Sequence, residues 1–148
     1  MLWILLGVIA GLVLPVQTLV NTRLRLSTGT PFSSSLISFA VGTVTLLVIA
    51  TAVTGGEFGL SRTAGQPLWI WFGGLLGVVA LTGNILLFPP LGAVQTVVLP
   101  IAGQIIMGLV IDHLGLFDSP ISPLTVVRML GALIVLGGVI AIVAGPGA

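Results

Sequence analysis

The chain has 148 residues, of which 57% are hydrophobic and 5% charged, with 21 glycines, 9 prolines and no cysteine. A soluble domain carries about 25% charged residues, so an ordinary water-soluble enzyme is excluded and an integral membrane protein is expected. The charged side chains are Arg23, Arg25, Glu57, Arg62, Asp112, Asp118 and Arg128, a net charge of +1 with no basic tract, which excludes a nucleic-acid partner.

A lipid core takes roughly 20 helical residues per crossing, and apolar stretches of that length run over 2–21, 34–53, 68–88, 93–113 and 124–144. The expected architecture is an all-α integral membrane protein, a single domain of five transmembrane helices over 1–148. The first stretch lacks both a positive side chain before its apolar run and a small-x-small cleavage site after it, so it reads as a retained span rather than a cleaved signal peptide. Within it, Gln17 and Asn21 lie four residues apart and share a helical face, with Thr18 beside them and Pro15 one turn before. They read either as the edge of a binding site or as amides joining helices by hydrogen bonds.

The connection TRLRLSTGTPFSS places Arg23 and Arg25 two residues apart, where they cannot face one direction on a helix. Snorkelling to the interface or contact with lipid headgroups accounts for both. A gate for an anionic solute is the alternative, with Arg23 favoured because it follows Asn21 closely. The next connection, TGGEFGLSRTAGQP, leads to Trp69 and Trp71, which suit the interfacial end of the third stretch. Asn84 lies toward the far end of that stretch. PPLG at 89–92 leaves room only for a tight reversal, or else marks one broken membrane segment.

The fourth stretch contains Gln95, then Pro100, Gly103 and Gln104 within about one turn, a candidate helix discontinuity facing a cavity. Gln104 is nearest mid-span and is the favoured single substrate contact; an interhelical hydrogen bond is the competing reading. Asp112 and His113 end this stretch and Arg128 enters the fifth. Asp112 and Arg128 are placed to pair, because a charge near the apolar region costs about 2.5–3.5 kcal/mol on insertion scales. Asp112 with His113 is a candidate proton-exchanging pair or simply a hydrated helix end. Gly7 with Gly11, Gly73 with Gly77, and Gly131 with Gly138 are candidate positions for close helix packing.

With the N-terminus on one side, five crossings put Arg62 and Arg128 there and Arg23 and Arg25 opposite, two against two. The positive-inside rule then gives almost no orientation preference. Insertion both ways and assembly of an antiparallel homodimer is expected, against a single orientation fixed by one loop arginine or an insertion factor. No paired mid-span carboxylates and no Ser, His and acid set are present, so no catalytic residue is assigned and enzymatic activity is not expected. A single histidine and no cysteine offer no metal centre, and no cofactor is called for.

The run NTRLRLSTGTPFSSSLISFAVGT at 21–43, the GQ at 103–104, IDHLGLF at 111–117 followed by SP, and VRMLG at 127–131 resemble the small YdcZ-like membrane proteins, with five spans in similar order and spacing. That family is placed in the drug/metabolite transporter superfamily, whose larger members resemble two fused five-helix halves of opposite orientation, while some small relatives work as antiparallel dimers. The resemblance implies an inner-membrane exporter. It matches Pro100 to the proline inside the fourth helix of a half-transporter and sets Asp112 where larger relatives have a Glu. The central acid of helix one in small multidrug-resistance proteins is missing; Gln17 and Asn21 occupy the polar face instead.

The resulting expectation is an exporter or exchanger of an unidentified small solute, working by alternating access in the inner membrane as a homodimer or paired with a five-helix paralog, in contact with membrane lipid. Gln17, Asn21, Asn84, Gln95 and Gln104 would line its binding site, with Arg23, Asp112, His113 and Arg128 gating or coupling. A passive channel of the small dual-topology type and a structural or regulatory membrane subunit are the alternatives.

Overall fold

The computed structural model describes residues 1–145, and no strand occurs among them. The long helices are α1 (Leu2–Thr28), α2 (Pro31–Thr54), α3 (Gly73–Leu114) and α4 (Val126–Val143). All four are long and apolar enough to cross a membrane, with window mean hydropathies of 2.0 to 2.5 when the short 3-10 turn Leu68–Phe72 is joined to α3. The chain divides into two compact units, Met1–Pro89 and Pro90–Ala148.

In the first unit, α1 runs seven residues past the expected boundary at 21 and carries both Arg23 and Arg25. The hydropathy window closes at Asn21 because polar side chains begin there. Their backbone nevertheless stays helical, since several of them turn inward. Gly29 ends the helix in the left-handed conformation (φ 81°), and its N–H donates to Arg25 O at 2.9 Å. Thr30 then caps α2: its Oγ1 accepts from Ser33 N–H at 3.0 Å, and Pro31 takes the first helical position, where a missing N–H costs nothing. The connection expected to span thirteen residues is thus reduced to Gly29 and Thr30. Trp69 and Trp71 lie in the 3-10 turn that precedes α3.

α3 has one non-helical residue, Gly92, at φ 72° and ψ −176°. Few residues other than glycine reach that region, so PPLG interrupts the helical path at its last residue. In the second unit, the part of α3 beyond Gly92 is followed by Gly115, a short turn over Leu116–Asp118 and an extended stretch leading to α4. Thr125 caps α4 by accepting from Arg128 N–H at 3.3 Å.

The burial pattern is inverted relative to a soluble domain. Among the described residues the buried hydrophobic side chains are Ile85 and Val139 alone, whereas Thr18, Asn21, Thr22, Ser34, Ser35, Thr82, Gln95 and Thr96 are buried and polar. Leu, Ile, Val and Phe side chains cover the outside. In water this would forfeit the hydrophobic driving force, but lipid supplies an apolar solvent for the outer face and leaves polar groups to find partners inside.

Candidate functional site

The polar interior of the first unit is built on one face of α1. Thr18, Asn21, Thr22 and Arg25 follow the i, i+3, i+4, i+7 spacing of a helical stripe; the first three are buried and Arg25 is half-buried. Ser34 and Ser35, in the first turns of α2, and Thr82 and Ile85, on α3, complete the cluster, each no more than 6% exposed. The elements are tied by polar contacts. Ser34 Oγ donates to Asn21 O at 2.6 Å, linking α2 to α1, and Ser35 Oγ shares a 2.8 Å hydrogen bond with Thr82 Oγ1, linking α2 to α3. Arg25 Nη1 donates to Ile85 O at 3.4 Å.

The hydroxyls on α1 are internally satisfied: Thr18 Oγ1 donates to Leu14 O at 3.0 Å and Thr22 Oγ1 to Thr18 O at 2.8 Å. Asn21 is the exception. Its side chain is 4% exposed and its Nδ2 has no hydrogen-bond partner. An unpaired buried amide costs roughly 1–3 kcal/mol, and among the fully buried side-chain polar atoms of the cluster this one alone lacks a partner. Gln17, expected to share a face with Asn21, is exposed, and Asn84 is half-buried. Arg23 points away from the stripe in the helical register and is exposed.

The second unit holds a separate polar group. Gln104, Gly108, Asp112, Arg128 and Gly131 line a groove of about 370 Å³ along α3 and α4. Arg128 Nη2 pairs with Asp112 Oδ2, and Arg128 Nη1 also donates to Ser122 O and Ser122 Oγ, both at 2.8 Å. Ser122 N–H in turn donates to Asp112 O at 2.8 Å. The guanidinium therefore fastens the start of α4, the preceding extended stretch and the end of α3 to one another. Gln104 is exposed at this groove, whereas Gln95 is buried. His113 is exposed; its Nδ1 accepts from Leu124 N–H at 3.4 Å, and the ring edges an apolar groove of about 430 Å³ with Ile106, Leu133 and Leu136.

Of the six glycines expected to pack helices, Gly77 meets a neighbouring side chain, with Phe39 at 3.3 Å from where a Cβ would stand. Gly7, Gly11, Gly73, Gly131 and Gly138 face open space within the chain. Ser34, Ser35 and Thr82 were not candidates from sequence, because lone hydroxyls are common in apolar helices and bond to their own backbone. The Thr18 to Arg25 spacing was the available signal.

Four helices long and apolar enough to span a membrane, with polar rather than apolar side chains making up most of the buried residues, define a multi-pass integral membrane protein. The family described as "Putative inner membrane exporter, YdcZ" matches residues 2–141, nearly the whole chain. The chain belongs to this family and is a multi-pass protein of the inner membrane. No similar curated protein and no similar solved structure is found.

Proposed function

We propose that the chain is one half of a small-solute exporter or exchanger of the drug/metabolite transporter type, and that two such chains, or this chain and a five-helix paralog, work together by alternating access. The observation that carries the reading is the buried polar cluster on α1, α2 and α3, in which Asn21 Nδ2 is left without a partner. A helix bundle in lipid needs no such group for its stability, since apolar side chains would satisfy the same volume without an unpaired donor.

The five-span arrangement is supported by the length of α3. Its 42 residues would reach about 63 Å at 1.5 Å per residue, twice a hydrocarbon core. The break at Gly92 divides it into two stretches of roughly 20 residues, each the length of one crossing. Gln104 beside the Asp112–Arg128 pair then supplies a second polar group, suited to gating. Nothing in the residues calls for an enzymatic role or a cofactor.

The test is counterflow by the purified chain in vesicles, across cations, amino acids, sugars and anions, with protein-free vesicles as the baseline. Saturable exchange accelerated by solute on the opposite side is expected. Fast electrogenic flux indifferent to the opposite solute would replace the exporter by a channel, and no flux at all would leave a structural subunit. In Gln104→Leu, exchange is expected to fall with assembly intact; failed assembly with binding retained would assign Gln104 to packing.

A further inference from the structure

We infer that the cargo bound at the α1 stripe is a small carboxylate that also bears hydroxyl or amino groups, held by Asn21 and Arg25. The inference rests on the exporter reading and adds the chemical class of its substrate.

The argument is a balance of donors and acceptors. Asn21 presents an amide NH2 with no acceptor, at 4% exposure. Arg25 follows one helical turn later on the same face, half-buried, and its guanidinium makes a single long hydrogen bond, to Ile85 O at 3.4 Å. A guanidinium offers five N–H donors and always carries its charge. Among the described residues the one ion pair is Asp112 with Arg128, so Arg25 has no counter-ion. The acid of the first unit is Glu57, which is exposed in the α2–α3 connection. Two adjacent groups thus offer donors and positive charge to an interior that supplies no anion, and a planar carboxylate matches a guanidinium fork.

The hydroxyls specify the other end of the ligand. The protons of Thr18, Thr22 and Ser34 are committed to the carbonyls of Leu14, Thr18 and Asn21. Their oxygens retain lone pairs and serve only as acceptors, which suits O–H or N–H groups on the cargo. An organic cation finds no carboxylate here, and its charge would meet that of Arg25.

Thermal stabilisation and counterflow of the full chain in phosphatidylcholine bilayers, with lactate and serine as probes and choline and sorbitol as the cationic and neutral comparisons, decide the matter. Lactate or serine is expected to stabilise and exchange. Arg25→Gln and Asn21→Leu are expected to weaken either effect about tenfold or more, the loss of a hydrogen bond to a charged group, while Arg25→Lys retains part of it and Arg62→Gln leaves it unchanged. Should Arg25→Gln fail to yield folded protein, Asn21→Leu and Arg25→Lys carry the comparison.

Stabilisation by choline or sorbitol without either carboxylate overturns the inference and leaves the exporter reading standing. So does undiminished carboxylate binding in folded Arg25→Gln. If only added phosphatidylglycerol stabilises the protein, the site holds a lipid headgroup and the cargo assignment fails. Absence of binding and exchange with every solute overturns both readings together.

Discussion

Asn21 sets functional need against stability in one side chain. Its Nδ2 is buried without a partner, and an unsatisfied buried donor costs about 1–3 kcal/mol. Leucine has nearly the same shape and no such debt. Asn21→Leu is therefore expected to raise the stability of the folded chain, read as a higher unfolding midpoint in detergent, while solute exchange is lost. A lowered midpoint would mean that the amide has a structural partner. Arg23 and Arg25 show how two residues of one type diverge by register. Two positions apart on α1, they point to different sides, and the structure leaves Arg23 exposed while Arg25 reaches the Ile85 carbonyl. Nearness in sequence to Asn21 favours Arg23; the helical repeat favours Arg25.

At the level of elements, the helix ends were written in residues whose geometry is local. Gly29, Thr30 and Pro31 end one helix and start the next within three positions. What hydropathy missed was the last two turns of α1, because a window average treats inward-facing polar residues as the end of a span. Gly92 is the other decisive position. At φ 72° and ψ −176°, with open space around its missing Cβ, the constraint is backbone conformation rather than crowding. Gly92→Ala is expected to cost about 1–3 kcal/mol, measured as a lowered unfolding midpoint. Gly7→Ala and Gly11→Ala, also in open space but helical, are expected to leave the single chain's midpoint unchanged. A change in self-association in those two variants would instead report a helix of another chain against α1.

The whole molecule poses the question of orientation. Four arginines are divided evenly between the two membrane sides on the five-span path, so charge gives little bias. A reporter fused after Ala148 is expected to be accessible from both sides of the membrane in intact cells. Two further arginines in the loop around Arg62 are expected to drive it to one side, and a reporter confined to one side before that change would remove the antiparallel arrangement. The same arginine count says nothing of which polar groups meet, because insertion responds to loops and packing responds to faces.

Composition alone determined that this chain belongs in lipid, since 5% charged residues cannot solvate a protein surface. Apolar runs of the right length determined the long helices, and local chemistry at Gly29, Thr30 and Thr125 determined where several of them end or begin. The pairing of Asp112 with Arg128 was also foreseeable, from the cost of leaving either charge alone near an apolar phase. Only the tertiary structure decided which amides are inside. Gln17 and Asn21 are of one chemical kind and four residues apart, yet one is exposed and the other 4% exposed. Burial is set by what the neighbouring helices cover: the Ser34 hydroxyl that meets the Asn21 carbonyl, and the Ser35 and Thr82 hydroxyls that meet each other, are brought in by α2 and α3.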